Sequence, residues 1–163
     1  GIKDVRSALE VSLKVKTTGE ISNSNGPGGK ILFEFACASD SALGRIGEEL
    51  GVQVVRLCKE HIDLASKANI DQLVEQVKAI PGCSIHGSIE CGPWSAWQRL
   101  NEAKNPRLSN ILREKRRESV SMMHSFIRVA NHVLDNGGFV SFEWPRYCSG
   151  WMSDPLASWI TER

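Results

Sequence analysis

The chain has 163 residues, of which 41% are hydrophobic and 24% are charged, and its formal net charge is +1. This length and balance suit one globular domain with its own core. The near-neutral charge excludes a uniformly basic protein that coats nucleic acid, so any attraction to phosphate must come from a local patch. No apolar run approaches the roughly 20 residues that span a bilayer, and the N-terminus lacks the apolar stretch of a signal peptide. We therefore expect an intracellular protein, nuclear or cytoplasmic, with no membrane partner.

Residues 1–29 carry few structural signals, and residues 17–29 are rich in Thr, Ser, Asn and Gly, which is typical of a flexible linker. We predict that residues 1–29 are an N-terminal extension and linker, and that residues 30–163 form the folded domain. The start at Gly1 and the stop at Arg163, directly after a helical run, indicate a piece of a longer protein. An incomplete domain is therefore one interpretation.

Strands and helices then alternate along the chain. The predicted strands are short and mainly apolar, and they span residues 31–36, 52–57, 84–90 and 139–142. The predicted helices span residues 41–50, 69–80, 107–134 (as one helix or two) and 155–161. This alternation, with short connections, predicts an α/β fold: a doubly wound, mostly parallel Rossmann-like sheet with flanking helices.

Three of these helices carry apolar residues at helical spacing, and in the helix predicted at residues 69–80 they are Ile70, Leu73, Val74 and Val77. In the first helix they form a stripe of Ala42, Leu43, Ile46 and Leu50, and Gly51 closes it. In the long helix, the residues predicted to face inward are Leu108, Ile111, Leu112, Val120, Met123, Phe126, Ile127, Ala130, Val133 and Leu134.

Three strand ends are candidates for a functional site, because ligands of parallel α/β sheets bind beyond the carboxyl ends of the strands. Residues 36–40, 90–95 and 143–148 are polar, small or aromatic, and each segment follows a predicted strand directly. The sequence thus predicts that these segments converge at one edge of the sheet.

The same segments resemble, in the same order, three motifs of the cytosine-C5 DNA methyltransferases. Residues 35–44, FACASDSALG, are similar to the family's opening Phe-Ala-Gly-x-Gly-Gly core with Leu-Gly a few residues later. Residues 89–95, IECGPWS, are similar to the catalytic Pro-Pro-Cys-Gln-x-Phe-Ser loop. Residues 139–145, FVSFEWP, are similar to the strand that ends in Glu-Asn-Val.

The resemblance implies a methyltransferase that uses S-adenosylmethionine as donor and DNA as partner. Cytosine C5 becomes nucleophilic only when a thiolate adds to C6, and this role falls to Cys91. Glu143 would hydrogen-bond the N3 edge of the base and stabilise the charge that develops there. The residues implied in donor binding are Phe35, Ala36, Cys37, Ala38, Ser39, Asp40, Asp63 and Pro93.

The chain also departs from the family's pattern. Residues 37–40 replace glycines that let the backbone approach the donor. At the end of the second strand the usual acidic residue is absent, and Glu60 or Asp63 could substitute for it. One strand–helix unit before Cys91 is missing, as are the family's later basic motif, its target-recognition domain and its closing motif.

A basic segment follows the Cys91 loop. Residues 99–118 contain seven Lys and Arg residues against three Glu residues, a local net charge of +4. We predict contacts to a nucleic-acid backbone from Ser95, Arg99, Arg113, Lys115, Arg116 and Arg117. The alternative is an ordinary solvated helix face.

Other interpretations of the candidate residues are structural. Cys91 could be a small buried residue, and Glu143 could pair with Arg146. Four tryptophans near the strand ends form either a second small core or a stacking platform for a base, and we favour the core for at least two of Trp94, Trp97, Trp144 and Trp151.

The cysteines argue against disulfides and metal. Five are scattered without a Cys-x-x-Cys pair, namely Cys37, Cys58, Cys83, Cys91 and Cys148, so reduced thiols are expected. Cys83-x-x-His86 has the spacing of zinc ligands, but it lies on a predicted strand and a fourth ligand would be remote, so we expect no metal site. A Cys–His hydrolase has no local signature here.

Three functions therefore stay open. The first is a domain related to DNA (cytosine-5)-methyltransferases, active or degenerate, within a larger mobile-element polypeptide. The second is a non-catalytic nucleic-acid-binding or scaffold module on the same fold. The third is another methyltransferase class such as the adenine-N6 type, whose Pro-Pro-aromatic loop is echoed by Gly92-Pro93-Trp94.

Overall fold

The computed structural model describes residues 30–162, and the predicted N-terminal extension lies outside the described residues. Four strands form one sheet in the order β2–β1–β3–β4, and every neighbouring pair is parallel. The strands are β1 (Ile31–Phe35), β2 (Gln53–Leu57), β3 (Ser84–Gly87) and β4 (Phe139–Phe142). The predicted α/β fold with a parallel sheet is confirmed.

Within residues 30–162, five α-helices flank or follow the strands. They are α1 (Ala42–Glu49), α2 (Lys67–Lys78), α3 (Trp97–Lys104), α4 (Leu108–Asp135) and α5 (Leu156–Thr161). Short 3₁₀ turns at Gly92–Trp94 and Ser149–Met152 lie in the loops that follow β3 and β4. Among residues 30–162, none of the helices is long and apolar enough to cross a membrane.

Two sequence expectations need correction, and one helix was not predicted. The third strand ends at Gly87 rather than at residue 90, because the chain turns there toward the Cys91 loop. Helix α3 was not predicted at all, and residues 107–134 form the single helix α4. Ile111, predicted to face inward, is 53% exposed. It lies near the start of α4, in a part of the helix where Leu112 is the buried residue.

The main core lies on one face of the sheet. Side chains of alternate strand residues point to the same face, and Phe33, Phe35 and Ile85 are fully buried there. Helix α4 covers this face with Phe126, whose ring centroid lies 5.6 Å from that of Phe35. Burying a large apolar side chain contributes roughly 1.5–3 kcal/mol, so this face accounts for much of the fold's stability.

Helix α1 lies on the opposite face and packs through its glycines. A Cβ atom at Gly44 would lie 2.4 Å from Nε of Arg56, and one at Gly47 would lie 2.9 Å from Val54. Only glycine allows so close an approach of helix and sheet. The predicted apolar stripe of α1 is consequently turned outward, and Ile46 is 54% exposed.

Candidate functional site

The segments that follow β1, β3 and β4 lie at the same edge of the sheet, since parallel strands end together. The backbone joins them there. Ser88 N–H donates to the Phe35 carbonyl at 3.0 Å, and Glu143 N–H donates to the Gly87 carbonyl at 2.9 Å. We call this edge, with residues 36–40, 88–95 and 143–149, the carboxyl edge.

The turn after β1 is built on an unusual backbone conformation. Ala36 has φ 62°, the only positive φ of a non-glycine residue among residues 30–162. An L-residue pays about 1 kcal/mol or more for this left-handed region. The turn is held by the Ala36 N–H, which donates to the Leu57 carbonyl at 3.0 Å. The predicted donor loop therefore makes a sharp turn without a glycine.

The side chain of Cys37 points into the protein from this turn. Its Sγ lies 3.7 Å from Sγ of Cys58, at the end of the neighbouring strand, and both residues are buried. Burial, aided by the charge of Glu34, raises the pKa of the Cys37 thiol well above its usual range. Burial likewise raises the pKa of the Cys58 thiol. Both are neutral thiols at physiological pH.

The remaining residues predicted to bind a donor differ in their exposure and their partners. Ala38, Ser39 and Asp40 are exposed along the edge. Phe35 is fully buried in the core, so only its backbone could take part. Asp63 accepts a hydrogen bond from Ala65 N–H at 2.9 Å, in a turn that leads into α2. Its carboxylate is thus engaged locally.

The Cys91 loop is fixed from several sides. Cys91 is partly buried and begins the 3₁₀ turn Gly92–Trp94, in which Trp94 N–H donates to the Cys91 carbonyl at 2.9 Å. Trp94 Nε1 donates to Oγ of the buried Ser119 at 2.9 Å, and Arg116 Nε donates to the carbonyl of the buried Pro93 at 3.0 Å. Helix α4 thereby positions the loop that carries Cys91.

Glu143 follows β4 directly but faces away from the core. Its neighbour Phe142 contacts Phe126 on the core face, with ring centroids 5.2 Å apart. Glu143 Oε1 lies 3.8 Å from Nε2 of His86, and the Glu143 side chain is 70% exposed. Cys91 instead packs against the core. The two predicted catalytic residues share an edge, and their approach to one base remains a prediction.

The contact of Glu143 with His86 belongs to a polar row that was not predicted. Glu34, His86 and Ser141 are register partners on β1, β3 and β4. His86 Nδ1 lies 2.8 Å from Ser141 Oγ. The only sequence signal was a polar residue in the middle of each strand, which does not reveal the register between strands.

Three of the four tryptophans form a cluster beneath the loops. Trp144 is 9% exposed, and its ring centroid lies 6.3 Å from that of Trp94 and 5.7 Å from that of Trp151. Its indole N–H donates to the Ile89 carbonyl. Trp97, in contrast, is 72% exposed on α3. The cluster links the Cys91 loop to the segment after β4.

The predicted nucleic-acid contacts differ in their availability. Arg116 lies 3.4 Å from Glu102 and 5.9 Å from the ring of Trp94, so it has structural partners. Arg117 pairs with Glu114 at 3.1 Å, and Arg113 donates to the Asn110 side chain at 3.1 Å. Ser95 accepts a hydrogen bond from the first residue of α3. Arg99 and Lys115 are exposed and have no ion pair among residues 30–162.

Within the part of the chain that the structure describes, no group of three or more His, Cys, Asp or Glu residues could hold a metal ion. Comparisons of the chain with protein-family models, with curated proteins and with solved structures found no match. Function is therefore inferred from the motif order and from the geometry of the carboxyl edge.

Proposed function

We propose that this chain carries a methyltransferase-like domain related to the cytosine-C5 DNA methyltransferases, on a doubly wound Rossmann-like sheet. One observation supports this most strongly: all three motif-like segments lie at the carboxyl edge of a parallel sheet ordered β2–β1–β3–β4. From β1 the chain adds β2 on one side of the sheet and then β3 and β4 on the other side. Doubly wound sheets bind ligands at such a switch point, which here lies between β1 and β3. The donor turn and the Cys91 loop flank it.

The turn after β1 has a sharp backbone bend and exposed residues, as a binding site for a methyl donor requires. Ala36 supplies the sharp bend, and the Cys37 side chain is only 5% exposed, so its substitution for glycine does not fill the space outside the turn. The exposed backbone of residues 38–40 would hold the donor, with Glu60 or Asp63 near its ribose. When bound, S-adenosylmethionine supplies an electrophilic methyl group.

Cys91 and Glu143 would act on the base. The Cys91 thiol must lose its proton before its sulfur can add to C6 of cytosine. A loop held by hydrogen bonds to α4 limits the positions this sulfur can take, which favours an oriented attack. Glu143 is exposed enough to reach the N3 edge of a base that enters from the solvent side.

A trapping experiment tests the proposal. Duplex DNA containing 5-fluorocytosine is incubated with the chain and the donor, because fluorine at C5 cannot leave as a proton does and holds the cysteine adduct. We expect an adduct that survives denaturation and is absent from Cys91→Ser. Duplex with ordinary cytosine is the control and gives none. No adduct, or an adduct that persists in Cys91→Ser, would overturn the assignment.

A second candidate is a nucleic-acid-binding module without catalysis on the same fold. It is favoured by the direction of Glu143, which contacts His86 on the face opposite the core while Cys91 packs against the core. DNA binding without donor binding or adduct formation would support this candidate over the first.

A further inference from the structure

Helix α3 exposes apolar side chains that folding does not explain. None of its eight residues is buried, although Trp97 is 72% exposed and Leu100 is 53% exposed. Helices in proteins are stabilised mainly by burying an apolar face, and α3 buries little. A large exposed aromatic residue beside another apolar one indicates a contact surface.

The charges on α3 and the turn after it are uncompensated. Arg99, Lys104 and Arg107 are exposed, and none forms an ion pair within residues 30–162. The acid in this stretch, Glu102, forms an ion pair with Arg116. By comparison, the groove along α4 is lined by two acids and two bases, Glu114, Lys115, Arg117 and Glu118. Positive potential is therefore concentrated on α3.

The spacing places the aromatic ring and a cation on one stripe. Trp97, Leu100 and Lys104 are separated by three and four residues, so they share a helix face. At a rise of about 1.5 Å per residue, Lys104 lies roughly 10 Å along the axis from Trp97. That is a distance over which a stacked base and a phosphate further along the same strand can both be held.

We propose that α3 and the turn after it bind single-stranded nucleic acid, with a base stacked on Trp97 and backbone phosphates on Lys104 and Arg107. A base in a duplex has no free face to stack on, whereas every unpaired base has one. Because α3 begins three residues after the Trp94 turn, such a strand would pass beside the Cys91 loop. The inference rests on the proposed function only in taking nucleic acid as the partner.

The test measures fluorescence anisotropy of labelled oligothymidylate and of a matched duplex with the full chain. Trp97→Ala should weaken oligothymidylate binding by roughly tenfold, and Trp97→Phe should retain most of it. Phe139→Ala, which removes a 77% exposed aromatic at the other end of the sheet, should leave affinity unchanged. Replacing Lys104 and Arg107 together by Gln should reduce the salt slope by about 1.4, two contacts at roughly 0.7 each.

Four outcomes would overturn the inference: no binding of oligothymidylate, an unchanged affinity in Trp97→Ala, an equal loss of duplex binding, or a dimer that Trp97→Ala dissociates in sedimentation. The last outcome would make α3 a protein interface. Circular dichroism should show Trp97→Ala folded, since the side chain is exposed. Stacking at Trp97 needs neither donor nor Cys91, so this result is independent of the fluorocytosine adduct.

Discussion

The hydrogen bond between Trp94 and Ser119 gives a sharp test of how α4 supports the Cys91 loop. Ser119 is 2% exposed, and its Oγ accepts from Trp94 Nε1 at 2.9 Å. Ser119→Ala leaves that indole N–H without its partner in a part-buried position, which costs about 1–3 kcal/mol. Alanine returns about 0.5 kcal/mol through its higher helix propensity. The difference is about 0.5–2.5 kcal/mol, and we expect a net loss near the middle of that range, about 1–2 kcal/mol, in unfolding free energy.

Urea denaturation followed by far-UV circular dichroism measures this loss, and thermal melting should show the midpoint falling by roughly 3–8 °C. Ser121→Ala is the matched control, because it makes the same exchange on α4 at a partly exposed position. In a Trp94→Phe background the cost of Ser119→Ala should largely vanish, since the donor is gone. A Ser119→Ala chain as stable as Ser121→Ala would refute the reasoning.

Three further predictions concern the thiols and one glycine. Diamide, which takes up two hydrogens at its N=N bond, should link Cys37 to Cys58 slowly, because both thiols are buried and protonated although their sulfur atoms lie 3.7 Å apart, and peptide mapping detects the pair. Iodoacetamide at pH 8 should label the partly exposed Cys91 first, because the other four thiols are buried and burial raises their pKa. Gly138→Ala should cost about 3 kcal/mol by chemical denaturation, because its Cβ would lie 1.8 Å from the Cys83 carbonyl oxygen.

Each of these has its own contradicting result. Cys37 and Cys58 that stay unlinked after prolonged incubation with diamide would show that the turn after β1 does not bring their sulfur atoms together. Equal labelling of all five cysteines would mean that the buried thiols open readily to solvent. Gly51→Ala is the control for Gly138, since it has a positive φ but open space around it, and we expect about 1 kcal/mol there. Equal costs at the two glycines would contradict the close contact.

The sheet could be predicted from the sequence because its signals are local. Residues 139–142 coincide with β4, since a short apolar run after Gly137 and Gly138 has few alternatives. The position of each candidate segment at a strand end followed from the same local strand patterns. These are properties of short segments, and they do not depend on which element packs against which.

The features that the sequence did not predict depend on contacts between distant segments of the chain. The apolar stripe of α1 could be identified from the sequence, but the helix packs on the sheet through its glycines. It approaches Arg56 and Val54 more closely than larger residues permit. Helix α3 has no buried residue, so no apolar face packed on the core marks it in the sequence. The row from Glu34 to His86 and Ser141 requires a strand register set across the whole chain. The left-handed turn at Ala36 has no marker in a sequence without glycine there.

Calorimetric titration of the full chain with S-adenosylmethionine tests the central claim most directly, because a methyltransferase-like carboxyl edge must bind the donor at the turn after β1. We expect one site with micromolar affinity. Ser39→Trp, which places a large side chain on the exposed turn, should abolish binding, whereas Leu50→Trp, at a 77% exposed position beyond α1, should not affect it. No heat of binding to the unmodified chain, or equal binding by Ser39→Trp, would contradict the assignment.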